Sequence, residues 1–276
     1  MESDGDDPDP HAAFTRLERA AWGRRARGYR TTTARATTQA IPALLAALRV
    51  RQGMRLIDLC TGPGYTAACA AVIGADVSGI DHCAAMIEEA RHSYPGLDFA
   101  VGDAEDTGLA GESVGAVACN FGVPHLASPD AMIAEAARLL RPGGHLAFSQ
   151  WVSPAESPLQ AALHLPLRAH GDLSGLPTMP DPFRFSDLHV CREALAGAGL
   201  TEIAFTEVPC VLEAPAEGIV DFLLRVEPRV AMVMEAQDAR TAAVIRREIE
   251  ASLARHRYDD LLAIPAPAFV ASAVKP

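Results

Sequence analysis

Short apolar runs alternate with amphipathic stretches through the middle of the chain. Each run is short enough for a buried strand, and the stretches between runs place apolar side chains at helical spacing. This alternation predicts an α/β fold, in which a parallel sheet is covered by helices on both faces. The predicted strands are 55–60, 75–80, 97–101, 114–120 and 145–151. The predicted helices between them are 64–73, one through residues 86–90 and one through residues 132–140.

The regions on either side of this alternation have other patterns. Residues 13–49 repeat apolar positions at helical spacing. Residues 153–185 contain six prolines and no regular period, which is typical of a lid. A helix is expected to begin at Ser186-Asp187, because Ser and Asp cap helix N-termini. The pattern after it predicts a strand at 202–212, helices at 216–235 and 238–257, and a last strand at 268–274.

These patterns divide the chain into five segments. We predict a central core, with a tail and a helical segment before it and a proline-rich lid after it. The segments are a flexible tail at 1–12, a helical cap at 13–50, a ligand-binding core at 51–152, a lid or substrate region at 153–185, and a segment at 186–276 that completes the sheet and carries a helical insertion at 215–260.

The composition excludes several classes of protein. The 276 residues carry a net charge of −11, which disfavours binding to nucleic acid. No apolar run reaches the ~18 residues that span a bilayer, and the acidic start is unlike a secretory signal. The six cysteines form no zinc-binding pattern, so we predict no metal and reduced thiols in a cytoplasmic protein.

The stretch Leu56–Gly64 carries the strongest chemical signal. It reads as a buried strand that runs into a glycine turn, and Asp58 within it requires a partner because a buried acid is costly. Gly62 and Gly64 begin a Gly-x-Gly-x-x-Ala pattern, and Asp81 ends the next strand. This combination is also the fingerprint of nicotinamide and flavin dinucleotide sites, so the turn alone leaves a dinucleotide-dependent oxidoreductase open.

Three further features favour a different cofactor. Asp58 would repel a diphosphate at the helix N-terminus but would attract an ammonium group. Asp103, in the Gly-Asp-Ala sequence after strand 97–101, can accept a hydrogen bond from an adenine amino group. Strand 114–120 ends in Asn120-Phe121-Gly122, and Arg-Pro-Gly-Gly precedes the next strand. These features disfavour NAD(P), while a non-catalytic protein that only binds a ligand stays an alternative.

Taken together, these motifs resemble the class I S-adenosylmethionine-dependent methyltransferases over residues 15–151. The N-terminal segment and the Asn-Phe-Gly-x-x-His stretch are most similar to the ubiquinone/menaquinone-type small-molecule enzymes. The resemblance implies a Rossmann-like, seven-stranded, mostly parallel sheet with helices on both faces, an N-terminal helical segment, and a helical insertion between strands six and seven. One departure is Cys60, which replaces the first glycine of the usual strand-one turn.

The resemblance also implies where S-adenosylmethionine, and the product S-adenosylhomocysteine, would bind. Asp81 would take the ribose hydroxyls, since two adjacent hydroxyls suit a bidentate acceptor, although Asp81 could instead cap the next helix. Met86 would flank the adenine, or serve only as core packing. The full set of implied cofactor residues is Tyr29, Asp58, Cys60, Thr61, Gly62, Gly64, Asp81, His82, Met86, Asp103, Ala104, Asn120 and Phe121.

The acceptor side of the site is less well defined by sequence. His125 is the best-placed candidate for a general base, because it follows Asn120 closely in the chain. We expect a small, aromatic or heteroaromatic metabolite as methyl acceptor, and the pattern does not choose between transfer to O, N or C. A homodimer is left open. The residues predicted to bind the acceptor are Trp22, Tyr29, His125, Gln150, Trp151, His164, Phe183 and Phe185.

Overall fold

The computed structural model describes residues 10–174, 176 and 179–276, and all but the last three residues of the predicted tail lie outside them. The helices are α1 (Pro10–Gly23), α2 (Ala34–Thr37), α3 (Ile41–Ala47), α4 (Tyr65–Val72), α5 (Ala84–Ser93), α6 (Pro129–Leu139), α7 (Pro158–His170), α8 (Leu188–Gly197), α9 (Ile219–Val226), α10 (Pro228–Glu235) and α11 (Ala239–Leu253). The strands are β1 (Arg55–Leu59), β2 (Asp76–Asp81), β3 (Asp98–Val101), β4 (Val114–Asn120), β5 (Leu140–Trp151), β6 (Thr201–Val208), β7 (Val211–Pro215), β8 (Arg257–Tyr258), β9 (Leu261–Pro265) and β10 (Ala268–Val274).

Seven of these strands form one sheet in the order β3-β2-β1-β4-β5-β10-β6. β10 alone among them is antiparallel to its neighbours, so the predicted seven-stranded, mostly parallel sheet is confirmed. The apolar runs in β1 and β4 follow from their central positions, because helices cover both faces of the sheet there. The strand order reverses between β1 and β4, which opens a crevice at the carboxyl ends of these two strands.

Two apolar clusters occupy the two faces of the sheet. One contains side chains of α3, α7, α9 and α11 packed on one face, and the other contains α6 and α8 on the opposite face. The helix predicted to begin at Ser186-Asp187 is present as α8, and the Asp187 carboxylate accepts hydrogen bonds from the backbone N–H groups of His189 and Val190. The Asp187 cap is therefore confirmed as the start of this helix.

Two predictions about the C-terminal half are wrong. The strand expected at 202–212 is two strands, because the chain turns at Pro209-Cys210 and β7 joins β9 and β8 in a separate three-stranded sheet. The insertion therefore contains strands as well as helices, and its first predicted helix is divided into α9 and α10 at Glu227-Pro228. The divided helix has a local cause, since proline disfavours helical backbone in the residue before it.

The predicted lid at 153–185 contains a regular element that the proline content concealed. α7 occupies much of it, with Pro158 at its first helical position and the Ser157 side chain accepting a hydrogen bond from the Gln160 N–H. Pro166 lies inside this helix. A proline at the first helical position costs nothing, because that N–H has no helical partner.

Candidate active site

A cavity lies at the carboxyl ends of β1, β2 and β4. It has an empty volume of about 920 Å³, its open mouth included, which is in the range of a cofactor-sized pocket. The carboxyl ends of β1, β2 and β4 form one wall. The N-terminal segment and the insertion form the other, together with Trp151 at the end of β5 and Leu159 of α7. The sheet-side lining residues are Cys60, Gly62, Asp81, His82, Met86, Asp103, Ala104, Asn120, Phe121, Gly122, His125 and Leu126. The opposite wall is Trp22, Tyr29, Thr33, Ala36, Thr37, Trp151, Leu159, Leu212, Val226 and Glu227.

The Asp58 side chain stabilises the glycine turn through hydrogen bonds. Its Oδ2 accepts a hydrogen bond from Thr61 Oγ1 at 2.6 Å and one from the Ala67 N–H at 3.2 Å, while its Oδ1 has no partner within the described ranges. Burial raises the pKa of Asp58 to about 7, although both hydrogen bonds act in the opposite direction. Asp58 and Thr61 thus order the turn rather than line the main cavity. Thr61 lines a smaller adjoining pocket.

Backbone geometry explains the residues of the turn. Cys60 has φ +53°, a left-handed conformation that glycine would adopt without strain. A Cβ at Gly122 would lie 2.4 Å from Cys60 Cβ, so the thiol side chain is accommodated only because its neighbour is glycine. The substitution of cysteine for the family's first glycine is therefore matched by close packing against Gly122.

Replacing Gly64 with alanine should destabilise the fold more than replacing Gly62. Gly64 is the N-cap of α4 at φ +84°, and a Cβ there would lie 2.7 Å from Phe99 Cζ, whereas no atom lies within 4 Å of a Cβ at Gly62. Both changes cost about 1–2 kcal/mol for the left-handed backbone, and only Gly64→Ala adds the overlap with Phe99. Urea unfolding of the two variants measures the difference, and equal losses would contradict the packing explanation.

Asp81 is held rigidly at the end of β2. Its Oδ2 accepts a hydrogen bond from the Gly62 N–H at 2.9 Å, and its Oδ1 accepts one from the Cys83 N–H at 2.8 Å. Burial raises the pKa of Asp81, and the adjacent His82 and the two N–H groups partly oppose this. Asp81 therefore both holds the chain at the Cys83 N–H, just before α5, and lines the cavity. Its remaining lone pairs are available to neighbouring hydroxyl groups.

A second acid lies further along the same edge of the sheet. Asp103 Oδ1 accepts a hydrogen bond from the Glu105 N–H at 2.9 Å, so Asp103 shapes its own turn, and both Asp103 and Ala104 line the cavity. His82 and Met86 line it as well. Met86 is 3% exposed and packs with Ala26 and Cys83, so it is at once core packing and cavity wall.

The end of β4 connects the sheet to the N-terminal segment. Asn120 Nδ2 donates to the Thr37 carbonyl at 3.1 Å, and Asn120 Oδ1 accepts from Ser149 Oγ at 2.7 Å. The Phe121 N–H donates to the same Ser149 Oγ, and the Phe121 ring stacks on Trp151 with centroids 3.9 Å apart. These contacts make the N-terminal segment a fixed wall of the cavity.

His125 is oriented by a buried carboxylate. Its Nδ1 lies 3.1 Å from Glu18 Oε2, and Glu18 Oε1 accepts from Arg229 Nε at 2.8 Å. Glu18 is fully buried. Burial alone would raise the pKa of Glu18, but His125 and Arg229 outweigh it and hold that pKa below its usual value. The ionised Glu18 accepts the Nδ1 proton of His125, which leaves Nε2 as the proton acceptor.

A family model matches the central part of the chain. The model of a family described as "Methyltransferase domain" matches residues 57–148, the part that builds the sheet side of the cavity. This part of the chain is a class I methyltransferase domain. The family resemblance inferred from the motifs is thereby confirmed.

Curated relatives are similar to part of the chain, and solved structures share its fold. Demethylmenaquinone methyltransferase from Beutenbergia cavernae is 35% identical over 119 residues, which are 43% of this chain and 50% of that protein. A putative methyltransferase from Bacillus halodurans has the same fold, with a TM-score of 0.56 at 18% identity over 86% of this chain and 98% of that one. Haemonchus contortus phosphoethanolamine N-methyltransferase 2, solved with S-adenosyl-L-methionine, gives a TM-score of 0.52 at 18% identity, over 86% and 52%. The chain spans about half the length, or less, of the curated relatives it matches.

Four predicted acceptor residues are not among those that line the methyltransferase cavity. Gln150 is fully buried and donates to the Pro182 carbonyl, because neighbouring residues of β5 face opposite sides of the sheet and Trp151 takes the cavity side. Phe185 packs in the core near Phe148. His164 and Phe183 line a separate cavity beside α7 and α10. His164, Phe183 and Phe185 were predicted because they lie in the stretch expected to form a lid, and Gln150 because it lies at the end of β5.

Three charged residues in or beside this cavity, Glu18, Glu227 and Arg229, were not predicted from the motifs. Glu18 lies on α1, Arg229 on α10, and Glu227 between α9 and α10, all outside the family motifs. Glu18 and Arg229 are 211 positions apart in the chain, so no local pattern could pair them. In the sequence, each of these residues is only a charged position within an apolar stripe. Charged residues are usually solvent-exposed, so this pattern did not indicate a buried charge.

Proposed function

We propose that this protein is an S-adenosylmethionine-dependent methyltransferase that acts on a small, apolar, aromatic or heteroaromatic metabolite. The observation that carries the proposal is the joint placement of Asp81, Asp103 and the Gly62 turn on one wall of one cavity. The matched family and the cofactor-bound structural neighbour support it. No helix of the described residues is long and apolar enough to cross a membrane.

The residues of the sheet-side wall fit this cofactor chemically. Asp81 offers two carboxylate oxygens, each with a free lone pair, to the ribose hydroxyls, and Asp103 and Ala104 offer an acceptor and an N–H to the adenine edge. The short turn from Cys60 to Gly62 would hold the methionine end. A dinucleotide diphosphate fits less well, since Asp58 and Asp81 both lie under this turn. No metal-binding cluster is found among the described residues.

When bound, this cofactor supplies an electrophilic methyl group on sulfur, so that the acceptor's lone pair forms the new bond while the carbon–sulfur bond breaks and its electrons stay on sulfur. The protein's contribution is alignment, exclusion of water and proton removal. We assign proton removal to His125 Nε2, because Glu18 fixes the opposite ring nitrogen as the donor. Trp22 packs edge-on against the His125 ring, with the two ring centroids 5.0 Å apart, and limits the rotation of the imidazole.

Replacing His125 with alanine should lower turnover by on the order of 10²–10⁴-fold, which is the usual contribution of a general base. Affinity for S-adenosylhomocysteine should change little, because the acids of the sheet-side wall remain. Product formation is measured by the transfer of labelled methyl groups to an accepted substrate, and affinity by calorimetry. His170→Ala, at an exposed histidine on α7, is the matched control. Near-normal turnover of His125→Ala would exclude the base role.

Calorimetry with the unmodified protein tests the cofactor assignment directly. Micromolar or tighter binding of S-adenosylhomocysteine, without heat from NAD⁺, NADP⁺ or FAD, is expected. Binding of a dinucleotide instead would revive the oxidoreductase alternative. Binding of S-adenosylmethionine with no methyl transfer to any member of a library of aromatic and heteroaromatic acceptors would favour a non-catalytic ligand-binding protein.

A further inference from the structure

Glu227 is a carboxyl group without a partner inside the cavity. It follows α9 and precedes Pro228, the first residue of α10, so the break between the two helices places it on the wall opposite the sheet. It occupies the N-cap position of α10, yet its side chain accepts no capping hydrogen bond. Within the described part of the chain its carboxyl group forms no hydrogen bond or ion pair, so the fold itself does not explain this acid.

The cavity wall that carries Glu227 is largely apolar and aromatic. Asp81 and Asp103 are accounted for by the cofactor, and the wall that remains for the acceptor contains Glu227 as its one carboxyl group. Trp22, Trp151 and Leu159 supply much of the rest of that wall. An acid in such a pocket is costly unless a cation or a strong donor meets it. An aromatic wall also favours cations, through the negative faces of its rings.

We infer that Glu227 binds the methyl acceptor, and that this acceptor is an apolar molecule carrying a basic amine. The inference rests on the proposed function and extends it to a substrate class and to a recognition residue. The ammonium form of the acceptor pairs with the Glu227 carboxylate on entry. His125 Nε2 takes one proton from it, which frees the nitrogen lone pair for methylation, and the N-methylammonium product keeps a positive charge opposite Glu227.

The electrostatics around Glu227 are consistent with this role. Burial raises the pKa of Glu227 to about 7, and the nearby Glu18 carboxylate acts in the same direction. His125, Arg229 and Arg25 lower it, but Arg229 is already paired with Glu18, and Arg25 donates to the Ala21 and Leu224 carbonyls. A cationic ligand would therefore ionise Glu227 and lower its pKa on binding.

The chain carries a built-in reporter for the test. Its two tryptophans, Trp22 and Trp151, both line this cavity, so intrinsic fluorescence reports occupancy of the site. The probes are 2-phenylethylamine and its neutral isostere 2-phenylethanol, titrated in the presence of saturating S-adenosylhomocysteine. The wild type should prefer the amine by about tenfold or more, since a hydrogen bond between two charged groups is worth a tenfold change in affinity.

Glu227→Gln keeps the shape of the side chain and removes the charge, and it should reduce the preference for the amine to within about twofold. Glu227→Asp should retain part of it, and Glu217→Gln, at an exposed acid of the same insertion, should behave as wild type. Amine affinity of the wild type should also rise as the pH increases through about 7, where Glu227 ionises, and this rise should be absent from Glu227→Gln. Equal amine preference in wild type and Glu227→Gln would overturn the inference.

The cofactor titration separates this inference from the proposed function. If S-adenosylhomocysteine binds to the wild type and to Glu227→Gln alike, the cofactor site is intact and only the acceptor assignment is under test. If S-adenosylhomocysteine fails to bind to the wild type, the proposed function fails first. If the wild type still prefers the amine and Glu227→Gln does not, Glu227 would nevertheless be shown to bind amines in this cavity.

Discussion

Replacing Asp81 with asparagine should weaken the binding of S-adenosylhomocysteine by on the order of 100-fold. The wild-type carboxylate is fixed by the Gly62 and Cys83 N–H groups, and each oxygen keeps a lone pair for one ribose hydroxyl. Asparagine retains one acceptor and loses the negative charge, so two charge-assisted hydrogen bonds become at best one neutral bond. A loss of about 2.7 kcal/mol corresponds to this factor. Calorimetry measures the change directly.

Asp76→Asn is the matched control for this prediction. Asp76 begins the same strand, β2, but its side chain is exposed and lies 3.7 Å from Arg55 at the surface. An exposed pair of this kind contributes little, so Asp76→Asn should leave both affinity and stability near wild type. If Asp81→Asn binds S-adenosylhomocysteine as tightly as Asp76→Asn does, then Asp81 only orders the backbone at Gly62 and Cys83 and does not hold the ribose.

The part of the site that could be predicted from sequence is the part built by consecutive residues. Asp58, the Gly62 turn and Asp81 lie at the ends of neighbouring parallel strands, so an alternating pattern and a glycine turn are enough to bring them together. The family resemblance placed Asn120 and Phe121 at the cavity, and the sheet accounts for that position, because β4 is the next strand across from β1. The arrangement of the strands is enough to predict these positions, and no knowledge of side-chain packing is needed.

Trp22, Tyr29 and Trp151 of the opposite wall were predicted, but the rest of that wall was not, because it depends on contacts between distant segments. Arg229 reaches the Glu18 carboxylate on α1 and also donates to the Pro180 carbonyl at 2.8 Å. Leu212 enters the wall from β7, a strand that reads in sequence as the continuation of β6. Side-chain spacing within one element does not determine which other element it meets. Four of the eight predicted acceptor residues line this cavity, and the other four lie elsewhere.

Replacing Glu18 with glutamine should lower the free energy of unfolding by about 3–5 kcal/mol. Arg229 is 7% exposed and is paired through Nε with Glu18, so the neutral amide would leave a buried guanidinium without its counter-charge. Removing one partner of a buried pair costs more than the pair contributes, because the remaining charge stays desolvated. Urea unfolding measures the loss. Glu248→Gln, at the exposed pair with His170, is the control and should cost less than about 1 kcal/mol.

The pH dependence of this loss has a defined direction. The pKa of folded Glu18 lies below 4.5, its ordinary value, so its contribution is fully present above pH 4.5 and is lost as the pH falls through the folded pKa. The difference in stability between wild type and Glu18→Gln should therefore be largest above pH 4.5 and shrink below it. A difference that stays constant on acidification would mean that the two side chains differ in packing rather than in charge.

Combining Glu18→Gln with Arg229→Met separates charge from packing in a second way. Methionine removes the buried guanidinium while keeping contact with the Phe14 ring, over which Arg229 now lies at 4.6 Å. The double variant should regain much of the stability lost by Glu18→Gln alone, because no uncompensated charge remains. It should nevertheless stay slow in turnover, since His125 would still lack the carboxylate that fixes its Nδ1 proton. Recovered stability with lost activity is thus the combination expected of a network that is retained for catalysis.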